Sequence, residues 1–318
     1  MSTIAVQQRN VNRGYLFAFL SAVIFSATGI LIRYLTQNYH LPALILAFWR
    51  DFFLVATLVP ILAIFKPQLL RLPRRYLPFM ILYGLILAMF NSAWTLSVSL
   101  NGAAVATVMS YSSAGFTALL AWWLLKEKLG PGKIIAVVLS LAGCLLVSGA
   151  LYATAWNANF LGILTGILSG LCYALYTMMG RTGAQRGLNS WTMLLYTFGF
   201  AGVILLAINL IPGGILPGSA TKLVDMIWPS MNWLGWLILF ILAAGPTLLG
   251  YGIYNISLIY LPSSVANLIV TLEPVFTTIA AYFVFGEVLT PIQFLGGLMI
   301  VGGVVVIRVT EGLRNRPA

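Results

Sequence analysis

Long apolar runs separated by short polar connections set the pattern of this chain. Ten such runs stand out, at approximately 15–35, 44–65, 78–97, 102–125, 132–151, 160–180, 190–211, 233–254, 262–285 and 291–310. Each approaches the roughly 20 apolar residues that a helix needs to cross a bilayer. The runs are continuous and do not alternate with a period of two, which disfavours a membrane β-barrel. The pattern predicts an all-α integral membrane protein with ten transmembrane helices.

Composition agrees, since 61% of the 318 residues are hydrophobic and 7% are charged. That leaves too little polar surface to cover a water-soluble body. The net charge of +11 does not point to nucleic acid, because the basic residues lie in separate short connections and do not form one surface. They set topology instead. With the N-terminus inside, the inner connections collect Arg9, Arg13, Lys66, Arg71, Arg74, Arg75, Lys126, Lys128, Lys133, Arg181, Arg186, Arg308, Arg314 and Arg316, fourteen of the seventeen Lys and Arg residues. Lys222, in the connection 212–232, falls outside, and Arg33 and Arg50 fall within spans. Both termini are therefore expected on the cytoplasmic side of a prokaryotic inner (plasma) membrane. Arg9 and Arg13 precede an apolar run too long for a signal peptide. Cys144 and Cys172, both in apolar stretches, build neither a disulfide framework nor a zinc site.

A shift of 160 residues aligns 101–147 with 261–307 without gaps and gives nine identities, among them Glu127/Glu287, Leu129/Leu289, Pro131/Pro291 and Gly143/Gly303. Two halves, 1–151 and 152–318, then hold five spans each. Because five is odd, the second half enters the membrane from the opposite side. Inverted repeats of this kind are usual in secondary transporters, with a site between the halves near the midplane.

Several segments resemble a known group: Leu272-Glu273-Pro274-Val275, Gly286-Glu287, Gly296-Gly297 and Gly302-Gly303, with Leu125-Lys126-Glu127-Lys128-Leu129 and Ala142-Gly143 in the first half. They are similar to the drug/metabolite transporter (DMT) superfamily, and within it to the EamA-like ten-helix transporters. The resemblance implies a cavity among the first four spans and the sixth to ninth, with the fifth and tenth peripheral. It also implies carriage of amino acids, other metabolites, sugars or nucleotide derivatives. Ala114 stands where similar sequences often have proline, so the halves are not expected to hinge identically.

An enzyme is not expected. His40 is the sole histidine, which excludes an HExxH zinc helix, and no Gly-x-Ser-x-Gly elbow occurs. Gly130-Pro131-Gly132-Lys133 lacks the spacing of a phosphate loop. No metal or cofactor is implied. Intramembrane charge is the sharpest signal, because a charge at the bilayer centre costs about 2.5–3.5 kcal/mol even on the lenient insertion scale. Only Asp51 and Glu273 among the acids fall inside spans, and Arg50 adjoins Asp51. Consecutive residues point about 100° apart on a helix, so no direct Arg50–Asp51 pair is expected. Arg50 could meet a substrate carboxylate, a neighbouring carbonyl or Glu273. Glu273 could couple transport to protons or clamp a broken helix beside Pro274.

Mid-span polar and aromatic residues supply the candidate substrate site: Asn91, Trp94, Tyr111, Tyr173, Tyr176, Tyr196, Tyr251, Tyr254 and Asn267. Each could equally make an interhelical hydrogen bond. Together they suit a small organic molecule with polar and apolar parts. Trp49, Trp122, Trp123, Trp156, Trp191, Trp233 and Trp236 sit nearer span ends, as interfacial anchors do. Gly162, Gly166 and Gly170 form a smooth stripe for close helix packing. Pro246 and Pro274 interrupt the eighth and ninth spans.

The expectation is a metabolite-efflux carrier in the bilayer, exporting amino acids or related compounds by alternating access, its oligomeric state left open and a monomer compatible. Uptake or exchange of a small solute is the alternative, and a non-carrier channel or interaction protein of the membrane is the reading from another class.

Overall fold

The computed structural model describes residues 3–148, 159–211, 213–214, 216–227, 231–285 and 290–314. The expected boundary at 151/152, Trp156, Gly286, Glu287 and Arg316 lie outside the described residues. The described elements are all helical, without strands.

Helix α1 (Thr3–Tyr39) turns at His40, whose φ is 49°, into α2 (Ala43–Phe65). Two short 3₁₀ turns, Pro67–Leu70 and Arg74–Tyr76, lead to α3 (Leu77–Tyr111) and α4 (Ser113–Leu124). Although α3 is continuous in its hydrogen bonding, it is not straight. A Cβ built on Gly166 would lie 2.7 Å from the Ser97 hydroxyl and 2.6 Å from the Met109 Cβ. Twelve residues of straight helix would hold Ser97 and Met109 about 18 Å apart at 1.5 Å per residue. The chain therefore folds back between them.

Helix α5 (Pro131–Val147) starts on a proline whose missing N–H costs nothing there. Asn159 and Asn189 cap α6 (Phe160–Gln185) and α7 (Ser190–Asn209) by accepting from Leu161 N and Trp191 N, both at 2.9 Å. The short α8 (Leu223–Ile227) precedes α9 (Trp233–Leu242), capped by Asn232 accepting from Gly235 N at 3.0 Å. A π-turn, Ala243–Thr247, joins α9 to α10 (Leu248–Tyr260). Pro246 offers no N–H to the Leu242 carbonyl, and the Thr247 hydroxyl donates to it instead at 2.8 Å. Then follow α11 (Ser263–Val270), α12 (Glu273–Phe285) and α13 (Pro291–Arg314).

Eight stretches are long and apolar enough to cross a membrane, and Pro131–Val147 is a shorter apolar helix. The outer surface is apolar: Phe65 is 76% exposed, Trp233 74% and Phe283 78%. A water-soluble protein would not present such a belt. Helices pack through small residues, as expected where lipid leaves little hydrophobic drive between them. A Cβ on Gly143 would lie 2.6 Å from the Gly296 carbonyl, so α5 and α13 touch backbone to backbone. The glycine stripe of α6 does the same against both limbs of the folded-back segment, where the Ser97 hydroxyl donates to the Gly162 carbonyl at 2.7 Å.

The bundle has two ends. At the His40 end, residues 216–227 cover a small core of Leu35, Leu41, Ile45, Leu46 and Met226. Asn209 ties this cover down, accepting from Ala220 N at 3.0 Å and donating to Leu44 O at 3.1 Å. The other end carries the loop 66–76, the α4–α5 turn with Glu127, and the α6–α7 turn.

Candidate functional site

A cavity of about 760 Å³, solvent at its mouth included, lies from the middle of the bundle toward the His40 end. Phe25, Thr28 and Ile32 of α1 form one wall, and Phe90, Asn91 and Trp94 of α3 face them. Arg50 comes from α2, Tyr173 from α6, Thr247 from the π-turn and Tyr251 from α10. Ser110, Tyr111 and Ser113 close the side where α3 meets α4, and Val270 and Glu273 bracket the break between α11 and α12. That break follows from Pro274, which has no N–H to give the Val270 carbonyl.

The charged groups occupy separate walls. Arg50, buried, donates from Nη2 to Asn91 Oδ1 at 2.9 Å. Its Nε and Nη2 also lie 3.4 Å from Asp51 Oδ1, with Asp51 fully buried. This corrects the expectation that consecutive residues cannot pair. Their Cβ atoms do diverge, but the long arginine stem curls back along its own helix. Arg50 Nη1 has no hydrogen-bond partner among the described residues. Glu273 is half-buried at the cavity wall, approached by Tyr111, and has no cation within ion-pair distance among the described residues. Arg50 and Glu273 thus face the same space without pairing. Asn91 Nδ2 and Thr28 Oγ1 are buried and also lack hydrogen-bond partners among the described residues. Aromatic rings stand between the charges: Phe25 and Tyr251 have centroids 4.8 Å apart, and Phe90 and Tyr173 5.2 Å.

Of the twelve site residues expected from the sequence, seven line the cavity: Arg50, Asn91, Trp94, Tyr111, Tyr173, Tyr251 and Glu273. Tyr176, Tyr254 and Asn267 lie beneath it as a buried layer toward the Glu127 end. There Thr177 Oγ1 donates to Tyr173 O at 3.0 Å, meets the Tyr254 hydroxyl at 2.8 Å and accepts from Asn267 Nδ2 at 3.3 Å. Asn267 Oδ1 accepts from Ser113 at 3.4 Å, and Tyr176 exchanges hydrogen bonds with Asn255 at 3.3–3.4 Å. Tyr196 stands apart, donating to the Leu70 carbonyl at 2.9 Å and so anchoring the loop 66–76. Phe25, Thr28, Ile32, Phe90, Ser110, Ser113, Thr247 and Val270 complete the walls without having been expected. Of these, only Thr247, beside the expected helix interruption at Pro246, carried a signal.

Below the buried layer, the Glu127 carboxylate reaches α11. Its Oε1 accepts from Ser263 N at 2.9 Å and from the Ser263 hydroxyl at 2.7 Å, while Oε2 accepts from Ser264. Lys133 Nζ lies 3.4 Å from Oε2 and donates to Ser264 Oγ at 2.8 Å. Burial works to raise the pKa of this carboxyl, but the serine hydroxyls, the Lys133 charge and the Ser263 N–H outweigh it and hold it below the usual carboxylate range.

Comparison with known proteins bears on what this cavity serves. The sequence profile of the EamA-like transporter family matches twice, at residues 12–149 and 160–309. An uncharacterized transporter of Archaeoglobus fulgidus is 26% identical over 224 residues, which is 69% of this chain and 74% of that protein. A protein of Rickettsia bellii named S-adenosylmethionine uptake transporter is 25% identical over 84% of both chains. The uncharacterized inner membrane transporter YicL of Salmonella typhimurium is 22% identical over 97% of this chain and 99% of its own length. A crystal structure of a protein 17% identical in sequence has the same fold, with a TM-score of 0.76 over 93% of this chain and 96% of the other.

Proposed function

The chain belongs to the EamA-like transporter family, a multi-pass membrane transporter and not an enzyme, and from that premise we propose that it is a secondary carrier that exports amino acids or related small zwitterions by alternating access. One observation carries the substrate class: Arg50 and Glu273 line separate walls of one aromatic cavity without pairing with each other. A substrate carboxylate meets the remaining Nη1 donor of the guanidinium through a charge-assisted hydrogen bond. A substrate ammonium meets Glu273, and an apolar side chain rests on Phe25, Phe90, Trp94 and Tyr251. Asn91 Nδ2 and Thr28 Oγ1, which lack partners among the described residues, add polar contacts. Site selectivity follows, because a substrate lacking either charge leaves buried polar groups unpaired.

The proposed topology has ten crossings in two inverted halves, with both termini cytoplasmic. Eight candidate spans, the apolar helix Pro131–Val147 and the returning limb that ends at Leu124 support the count. The concentration of Lys and Arg in alternate connections supports the orientation. Export follows from resemblance of sequence. The name of the Rickettsia relative favours a second reading, uptake of a cationic amino-acid derivative through the same cavity.

Reconstitution into proteoliposomes tests the proposal. Counterflow of labelled amino acids that saturates and is competed by unlabelled amino acid is the expected result, with sidedness deciding between export and uptake. Flux that neither saturates nor is competed would replace the carrier with a channel.

A further inference from the structure

Helix α11 is a separate body inside the bundle. All eight of its residues are buried, and it is bounded by extended Leu261–Pro262 on one side and by the tight turn Thr271–Leu272, whose N–H groups bond three residues back, on the other. It sits between the cavity, which Val270 lines, and the Glu127 end. The first N–H groups of a helix have no partners within it, and Pro262 at the cap position offers no side-chain bond. Glu127 supplies the cap from 136 residues away in the chain. A carboxylate is also the charge that a helix N-terminus favours. The preceding helix end is held as well, because Arg181 Nη1 donates to Leu258 O at 2.6 Å and Ile259 O at 2.9 Å.

We propose that the Glu127 carboxylate is a releasable latch that holds α11 across the cavity at the Glu127 end, and that breaking its bonds to Ser263 and Ser264 lets α11 move and opens the cavity to that side. The proposal rests on the alternating-access reading above and adds to it the group that keeps one side shut. The charged ties of α11 all sit at its N-terminal turn, where Glu127 holds Ser263 and Ser264 and Lys133 donates to Ser264. The remaining hold, Asn267 to Thr177 and Ser113, is made of neutral and longer bonds at 3.3 and 3.4 Å. The serine pair and the lysine of the latch each occur in one half only. At the shift of 160 residues that relates the halves, Ala103 and Ala104 stand where Ser263 and Ser264 stand, and Gln293 stands for Lys133. Gln293 accepts from Thr290 N at 3.0 Å and donates to the Val147 carbonyl at 3.3 Å, whereas Lys133 reaches α11.

The test uses the full chain in membrane vesicles, with Cys144→Ala and Cys172→Ala, and Ser110→Cys as a reporter in the cavity wall. An impermeant maleimide is applied from each face, and Lys128→Cys, made separately, identifies the Glu127 face. With Glu127 intact, the reporter should react from the opposite face. Glu127→Gln should raise its rate from the Glu127 face on the order of tenfold, as expected when charge-assisted bonds become neutral ones. The double substitution Ser263→Ala/Ser264→Ala, which keeps the acid and the Ser263 N–H, should act in the same direction with a smaller rise. Unchanged reactivity from the Glu127 face in both would overturn the latch. Should Glu127→Gln fail to accumulate, the serine pair alone decides. Competable flux in the parent with no change in labelling sinks the latch and spares the carrier, and altered labelling without competable flux does the reverse.

Discussion

Tyr173 and Tyr176 stand three residues apart on α6, and Tyr251 and Tyr254 three apart on α10, yet each pair divides between two layers. Tyr173 and Tyr251 line the cavity, whereas Tyr176 and Tyr254 lie below it with no solvent exposure. The layers differ in hydrogen-bond bookkeeping. The Thr177 hydroxyl gives its one proton to Tyr173 O and receives from Tyr254 and Asn267, which uses its full capacity. Along the cavity, Asn91 Nδ2, Thr28 Oγ1 and Arg50 Nη1 are left over. A satisfied buried network specifies packing, and an unsatisfied one invites a ligand. The same residue types therefore close the molecule in one layer and open it to chemistry in the other.

Arg50→Ala tests that division most severely, because Arg50 belongs to both sides. It offers charge to the cavity and is also the sole cation beside fully buried Asp51 among the described residues. Its removal strands that carboxylate, at about 3–5 kcal/mol where a buried pair is broken. Thermal unfolding of purified protein should show a large fall, with flux lost as well. Normal stability with lost flux would make Arg50 purely a cavity group.

Tyr254→Phe comes next. It removes one of the two donors to Thr177 and should cost about 1–2 kcal/mol, read as a lower melting temperature. Substrate preference should not move. A change in preference at unchanged stability would place Tyr254 in the cavity layer after all. Trp94→Leu should do the opposite, weakening apparent affinity about tenfold through loss of an aromatic wall, with little change in melting temperature.

How far the sequence reached follows the same line. The apolar runs foretold the helices because crossing length and hydropathy are local properties, and Asn159, Asn189 and Asn232 cap them as local chemistry dictates. The two layers were not separable. Three residues along a helix change height by about 4.5 Å and direction by about 60°, so Tyr173 and Tyr176 share one pattern until their neighbours are known. Arg50–Asp51 was misjudged because helical angle describes Cβ direction and ignores the reach of a guanidinium. Glu127 was legible only as an acid outside the spans and an identity of the repeat, since Ser263, which it caps, lies 136 positions away.

Protonation probes the foot of the buried layer with a smaller effect. The folded pKa of Glu127 lies below its ordinary value of 4.5. Its bonds therefore stabilise fully above that value, and the contribution is lost as pH falls through the lower folded pKa. Melting temperature should drop on acidification below about pH 4.5, and Glu127→Gln should drop less. Parallel slopes for the two proteins would assign the acid sensitivity elsewhere.

Glu273→Gln should disturb stability least, and it asks what the cavity layer does with its unpaired acid. Glu273 opens α12 immediately before Pro274 and faces the cavity with no cation within ion-pair distance among the described residues. Glutamine keeps the volume and the capacity to meet Tyr111 while fixing the side chain in a neutral form. Because no ion pair is broken, the stability should stay within about 0.5 kcal/mol of the parent, as for a substitution that leaves no buried charge stranded. If Glu273 takes up and releases a proton as the cavity alternates, the variant loses accumulation driven by a pH gradient and keeps exchange of substrate for substrate. If it only recognises the substrate ammonium, exchange weakens as well, and uncharged analogues gain relative to zwitterions. A fall in melting temperature as large as that expected for Tyr254→Phe would move Glu273 out of the cavity layer and make it a clamp on the broken helix. Accumulation and exchange both equal to the parent would leave Arg50 as the charged group on which recognition depends.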